Sequence, residues 1–384
     1  MRIALFTESY SPVINGVATA VEWLAEALRE RGHTVVVFAP RYPGHVDPSG
    51  HAVRFPSFIL PHHPNYPLAY PTSRDVFRAF RDGEFQVAHS HTPFATGQAA
   101  RRWARRLGVP LVTTYHTLYA EYAHYAGSVV QAVARRWLIH LSRRYCQSAD
   151  AVVVPTAPIR DVLRSYGLKR SVEVIPTGLP SRPPPAPDPT FPRGEFGIPP
   201  GAPLVLYAGR LAREKNLGLL FSAFARVAKA LPQARLLVAG GGPWLERARA
   251  LARDTGAGER IVLPGFIPRH RLPLCYVAAD VLAFSSMTDT QGLVLVEAKA
   301  CGLSAVSVAA HGPATIVRDG VDGFLTPNDP QVFADCLLRL LCDRDLRARM
   351  SEAARADAAR FSIHTTARRY EEIYARVQRK RSGW

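Results

Sequence analysis

Apolar residues along this chain fall into two alternating patterns. Short unbroken runs, beginning with RIALF (2–6) and HTVVVFA (33–39), suit strands covered on both faces. Between them Val17, Val21, Leu24 and Leu28 recur at helical spacing behind a loop through Asn15 and Gly16. Gly32 stands where a left-handed residue would close that helix. Strand, helix and strand at this spacing predict a βαβ unit, hence a parallel sheet with right-handed crossovers. Further strands are predicted at 86–88, 110–114 and 151–154 with helices between, so residues 1–178 read as one α/β domain.

From Pro176 to Pro203 the pattern gives way to a proline-rich stretch, which can hold neither a regular helix nor a central strand. The sequence predicts a stiff linker over 179–202. Beyond it the alternation restarts, with strands at 204–209, 235–240, 260–265, 281–286 and 304–309 and helices at 216–230, 243–253 and 292–301. A second doubly wound domain over 203–360 follows, and two domains are what 384 residues lead one to expect. The closing segment, 361–384, is predicted as an amphipathic helix with Ala367, Tyr370, Tyr374 and Val377 on one face. In doubly wound sheets ligands bind at the carboxyl ends of the strands, and two such domains facing each other enclose a cleft.

Composition adds four points. Hydrophobic residues at 47% and charged residues at 21% fit a soluble globular protein. No apolar run reaches the roughly 18–20 residues of a spanning helix, and the opening MRIALFTESYSP shows no signal-peptide cleavage pattern, so a cytoplasmic location is expected. The five cysteines form no CxxC pair and are expected to be reduced and mostly buried. The net charge of +17 favours an anionic partner: nucleic acid, a phosphorylated small molecule or an acidic membrane surface. The plain alternative is an arginine-rich composition without a functional reason. No basic stripe interleaved with aromatics is present, so nucleic acid is not the expected partner.

Three segments carry candidate chemistry. In YAGRLAREKN (207–216), Arg210 and Lys215 lie beyond the carboxyl end of a strand, where a guanidinium fork and a mobile ammonium can meet phosphate. In AGGGPWLERARALA (239–252), glycines including Gly241 stand between a strand and a helix predicted to begin at Pro243. They either admit a ligand to the backbone or simply make a tight turn, and they lack the GxGxxG spacing of a dinucleotide site. In MTDTQGLVLVEAKACG (287–302), Gln291 and Gly292 end a loop, and the helix opening at Leu293 offers first-turn N–H groups to a diphosphate. Asp289 lies in that loop and Glu297 one turn into the helix. Carboxylates beside a phosphate site are suited to accepting hydrogen bonds from hydroxyls, and a nucleotide sugar has hydroxyls at both ends.

Taken in order, ESYSPVINGVATAV, HSHTPFATG, TTYHTLYAEYAHY, VIPTG, AGRLAREKN, GGGP and TDTQGLVLVEA resemble the motifs of retaining GT-B glycosyltransferases of family four, over residues 1 to about 375. Within that family the chain looks closest to bacterial enzymes that glycosylate diacylglycerol-type lipids, with GDP-mannose-dependent enzymes next. The resemblance implies an α/β GT-B fold of two Rossmann-like domains facing across a cleft, with the C-terminal helix crossing back to the first domain. It implies that Glu297 holds the nucleotide ribose, Asp289 the hydroxyls of the transferred sugar, and Arg210 and Lys215 the diphosphate. Gly16 would let the opposite domain's backbone approach the substrates, His116 would face the reacting sugar, and Phe266 and Ile267 would pack on the base. The family usually has Glu where this chain has Asp289, one methylene longer.

A hexose transferase follows as the expectation, using a nucleotide-sugar donor, UDP-sugar first and GDP-sugar second, with no tightly bound cofactor and no required metal. Fixed cations and helix N–H groups would stabilise the leaving diphosphate, and front-face transfer with retention is what the resemblance implies. The expected acceptor is a membrane lipid. Arg101, Arg102, Arg105 and Arg106 flank Trp103, while Arg135, Arg136, Arg143 and Arg144 surround Trp137, Leu138 and Leu141. With FILPHHPNYPLAY (58–70) they suit the inner face of an anionic membrane, or else are solvated faces over a core that holds the tryptophans. Epimerisation of a nucleotide sugar on the same architecture is the alternative reaction.

Overall fold

A computed structural model describes residues 1–47, 50–59, 67–127, 129–181, 183–188 and 190–382. The chain divides into two compact units, Met1–Pro180 with Ser362–Trp384, and Ser181–Phe361. In the first unit the sheet strands are β1 (Arg2–Phe6), β2 (Thr34–Pro40), β3 (Ala52–Phe55), β4 (Val87–Ser90), β5 (Leu111–Thr114), β6 (Ala151–Val154) and β7 (Val172–Val174). They pair in parallel in the order β3-β2-β1-β4-β5-β6-β7. The helices used below are α1 (Gly16–Glu30), α2 (Ala95–Leu107), α3 (Gln131–Ser148), α4 (Leu217–Ala230), α5 (Leu245–Asp254), α6 (Leu293–Ala300) and α7 (Ile363–Ser382).

Alternation along β1 sends its side chains to two cores. Ile3 and Leu5 join Val21, Leu24 and Leu28 of α1 together with Tyr370, Tyr374 and Val377 of α7. Ala4 and Phe6 join Phe38, Phe80 and Trp103 on the other face, where Phe6 stacks on Phe38 at 4.6 Å. Asn15 caps α1 by accepting from the amides of Val17 and Ala18 at 3.0 and 2.9 Å, and Gly32 takes the left-handed φ of 83° that its position demands. Glu371 pins α7 by accepting both Nε and Nη2 of Arg31, at 2.7 and 2.8 Å, with His33 Nε2 2.7 Å from Oε1.

The second unit carries β8 (Leu204–Ala208), β9 (Arg235–Ala239), β10 (Ile261–Gly265), β11 (Val281–Phe284), β12 (Ala305–Val308) and β13 (Gly323–Thr326). They form a parallel sheet in the order β10-β9-β8-β11-β12-β13. The order reverses between β8 and β11, which places the topological switch point there.

Two local expectations need correction. The proline-rich stretch beyond residue 180 packs on the second unit instead of standing as a separate linker. Phe191 and Ile198 are buried apolar anchors, Arg271 lies 3.8 Å over the Phe191 ring, and Arg193 donates to the carbonyls of Ala202 and Ala278 at 3.0 and 3.1 Å. The helix predicted from Pro243 begins at Leu245. The Trp244 amide bonds to the Leu211 carbonyl at 3.0 Å, and the Leu245 amide bonds back to the Gly242 carbonyl at 3.1 Å in a turn that precedes the helix. Among the cysteines, Cys146 and Cys275 are buried as expected, but Cys342 is exposed.

Candidate active site

In the second unit every candidate residue lies at or just beyond the carboxyl end of a strand. Tyr207 of β8 donates its hydroxyl to the carbonyl of Arg210, beyond the strand, at 3.2 Å, and the Arg210 side chain is held by buried Glu214. Lys215 follows, its backbone carbonyl accepting from Ser285 just after β11 at 2.8 Å. Its ammonium reaches the loop of the neighbouring strand and donates to both carboxylate oxygens of Asp289 at 2.8 Å. Burial opposes the charge on Asp289, but Lys215 outweighs it and holds the carboxyl below its usual range. Burial likewise opposes the Lys215 cation, and Asp289 outweighs it, so that pKa is raised. The two residues singled out for different parts of one donor are therefore bonded to each other.

Gln291 is buried, and Gly292 stands at φ 79°, a left-handed conformation that turns the loop into α6. Leu295 N–H bonds back to the Gly292 carbonyl, while helix geometry leaves the amides of Leu293 and Val294 without intrahelical carbonyls. Glu297, one turn on, accepts from the Tyr276 hydroxyl at 2.7 Å. Burial raises its carboxyl above the usual value against the pull of that hydrogen bond and of the Arg269 charge. It is thus an acceptor already half-used, with Tyr276 as a supporting partner no motif announced.

The glycine loop after β9 divides in two. A Cβ on Gly240 would strike the Gly209 carbonyl oxygen at 1.8 Å, and one on Gly242 the Leu211 carbonyl oxygen at 2.4 Å, so both are needed for loop packing. At Gly241 a Cβ would meet Phe266, whose Cβ is nearest at 3.4 Å. Gly241 therefore lies against the segment expected to hold the base, where the Phe266 ring is exposed and Ile267 buried.

In the first unit Gly16 is the exposed opening residue of α1, behind the Asn15 cap. His116 follows β5, and its Nε2 lies 2.9 Å from His91 Nδ1. His91 in turn packs against His89, ring centres 4.1 Å apart. His89 is fully satisfied: Nδ1 meets the Tyr374 hydroxyl at 2.7 Å and Nε2 meets Thr114 Oγ1 at 2.8 Å. Burial depresses His89 to about 3 and His116 to about 4, and His91 falls well below its ordinary value for the same reason, aided by its neighbouring histidines. All three are neutral imidazoles at physiological pH.

Sequence reasoning passed over His91 and Glu8. The signal for His91 was the His-x-His spacing in HSHTP, which in an extended segment aims both rings to one face. Glu8 accepts from the Thr96 amide at 2.8 Å and its hydroxyl at 3.3 Å, at the start of α2. Burial drives it from 4.5 to about 7. Among the described residues no three His, Cys, Asp or Glu side chains are grouped as metal ligands, and no helix is long and apolar enough to cross a membrane.

Residues 14–182 match the family described as Glycosyltransferase Family 4, and residues 190–357 match Glycosyl transferases group 1. An alpha-monoglucosyldiacylglycerol synthase of Streptococcus pneumoniae is 30% identical over 81% of this chain and 71% of its own. A GDP-mannose-dependent alpha-mannosyltransferase of Mycobacterium tuberculosis is 32% identical over 85% of this chain and 84% of its own. The crystal structure of HepE from Anabaena in complex with UDP and glucose shares the fold with a TM-score of 0.75, at 22% identity over 98% of this chain and 99% of that one. The chain belongs to this glycosyltransferase family, Family 4 in its first half and group 1 in its second, with the GT-B fold.

Proposed function

We propose that this glycosyltransferase moves a hexose, with retention, from a UDP-sugar to a diacylglycerol-type lipid. The observation that carries the donor half is the Lys215–Asp289 pair at the switch point of the second sheet. One cation and one acid held together there suit a diphosphate beside a sugar hydroxyl. In this reading the second unit takes the donor: Arg210, Lys215 and the first-turn amides of α6 meet the diphosphate. Glu297 accepts from the ribose, Asp289 from the sugar, and the base lies on Phe266 and Ile267 beside Gly241. As the bond from the anomeric carbon to the β-phosphate oxygen breaks, that oxygen takes the charge, and fixed cations and dipoles stabilise it there. The acceptor hydroxyl oxygen bonds to the same carbon, and its proton leaves on the departing phosphate. No covalent enzyme intermediate and no metal is required.

The first unit takes the acceptor, with Gly16 and His116 at the reacting end. The relative from S. pneumoniae supports a lipid acceptor through its name. Of the two tryptophan-bearing basic helices, only one suits a membrane. Trp103 of α2 is 5% exposed and belongs to the core, whereas on α3 Trp137 is 58% and Val133 70% exposed, beside Arg135 and Arg136. An exposed aromatic and aliphatic strip flanked by arginine favours the interface of anionic lipid on the inner face of the cell membrane. Within the stretch 58–70, residues 60–66 lie outside the described residues, while Phe58, Ile59, Leu68 and Tyr70 are exposed.

The test is incubation with UDP-glucose, UDP-galactose or GDP-mannose and vesicles of diacylglycerol with anionic phospholipid. A UDP-sugar is expected to yield an α-linked glycolipid and one UDP per transfer. Turnover with GDP-mannose alone would replace this reading by the mannosyltransferase one, and an epimerised donor without glycolipid would overturn both.

A further inference from the structure

The three histidines of the first unit are unequal in their hydrogen bonding. His89 uses both ring nitrogens. His91 uses Nδ1 toward His116, but its Nε2 is buried with no hydrogen-bond partner among the described residues. A neutral imidazole has one N–H and one bare nitrogen. If His116 donated from Nε2, the proton of His91 would sit on its own Nε2, a buried donor facing no acceptor. If His91 donates from Nδ1, the orphan is only a bare nitrogen. Orphaned buried N–H groups are the rarer and costlier case.

We propose that His91 is a positioning residue that donates Nδ1–H to His116 Nε2 and so holds His116 as its Nδ1–H tautomer in a fixed ring plane. The His91 ring is itself fixed, packed between His89 at 4.1 Å and His116 at 5.1 Å between centres. His89 is anchored by Tyr374 of the C-terminal helix and by Thr114. Burial keeps His91 and His116 uncharged at neutral pH, so each carries a single ring proton.

For the reaction, any bond from His116 Nδ1 to a substrate oxygen would be one it donates, so His116 acts there as a hydrogen-bond donor, not a base. This consequence rests on the proposed function, in which the acceptor proton leaves with the diphosphate; the tautomer does not.

The experiment labels histidine ring nitrogens with ¹⁵N and records long-range ¹H–¹⁵N spectra of the full chain, assigning His116 by its loss in His116→Gln. Protonated Nδ1 and bare Nε2 on His116 are expected. His91→Phe removes the donor to His116 Nε2 and should lower turnover of UDP-glucose on diacylglycerol vesicles by roughly tenfold or more. UDP affinity by calorimetry should stay within about twofold. His91→Asn, whose amide can place an N–H where Nδ1 stood, should restore most of the turnover. A His116 protonated at Nε2 in the unaltered protein overturns the proposal, as does His91→Phe with unchanged turnover. If the unaltered protein transfers no sugar, the proposed function fails, and the spectra alone still decide the tautomer.

Discussion

Replacing Asp289 by Asn should tighten the binding of free UDP while slowing sugar transfer. Lys215 is not waiting for a phosphate; both of its short contacts, at 2.8 Å, go to Asp289. In the proposed donor pose a diphosphate competes with this carboxylate for the ammonium. At an effective dielectric of about 20 the gross attraction of charges about 2.8 Å apart is about 6 kcal/mol. Lys215 and Asp289 side chains are 15% and 25% exposed, so solvent and desolvation offset most of this. The net pair then lies between the ~1 kcal/mol of exposed pairs and the ~3–5 kcal/mol of breaking buried ones. A release of ~1–2 kcal/mol makes UDP bind roughly 5- to 30-fold tighter in Asp289→Asn.

The assay is calorimetric titration with UDP, paired with initial rates on UDP-glucose. Lys215→Met, which removes the cation, should weaken UDP by ~1.5–3 kcal/mol. The pH dependence supplies a control with a definite sign. Asp289 is depressed, so the pair is lost only as pH falls through its folded pKa, below the usual range; Lys215 is raised, so it is lost only above the usual lysine range. The gain in Asp289→Asn should accordingly stay constant across neutral pH. If Asp289→Asn weakens UDP as Lys215→Met does, Asp289 holds Lys215 in its binding position, and the competition argued here is wrong.

Two further outcomes concern stability. Glu8 titrates near 7 in the fold against 4.5 otherwise, so the stability it contributes is full below pH 4.5 and is lost as pH rises through 7, up to about 3 kcal/mol. Glu8→Gln should remove that slope, seen as urea midpoints diverging from the unaltered protein's between pH 4.5 and 8; parallel profiles would refute it. Lys299, on α6 with Glu297, is buried and donates to Asp322 and Asp357 at 2.8 and 2.7 Å. Lys299→Met removes the buried cation these two carboxylates share and should cost ~3–5 kcal/mol in denaturant unfolding. A loss under ~1 kcal/mol would show that Arg318 and Arg360, which also pair with these acids, suffice without it.

Much of the architecture was legible along the chain. A strand covered on both faces must be apolar throughout, and an amphipathic helix must repeat near 3.6 residues, so LVLYA and the Val17–Leu28 series announced themselves. Gly32 was legible for a similar reason, because its backbone conformation is a local demand. The start of α5 was not, since a turn closed by the Leu245 amide on the Gly242 carbonyl carries the chain past Pro243 before the helix begins.

For the candidate site, the order and spacing of motifs brought out Arg210, Lys215, Asp289, Glu297 and His116 as residue types suited to a nucleotide sugar. Which of them touch was outside the reach of any pattern. Lys215 meets Asp289 across 74 positions because β8 and β11 are neighbours at the switch point. His91 meets His116 because β4 lies beside β5. Trp103 and Trp137 sit in similar arginine-rich contexts, yet one is core and the other surface. Periodicity and motif order are written in near neighbours, and they determine elements, family and candidate chemistry. Pairing, burial and protonation depend on which distant segments the topology packs together and how much water they exclude, so only the folded chain decides them.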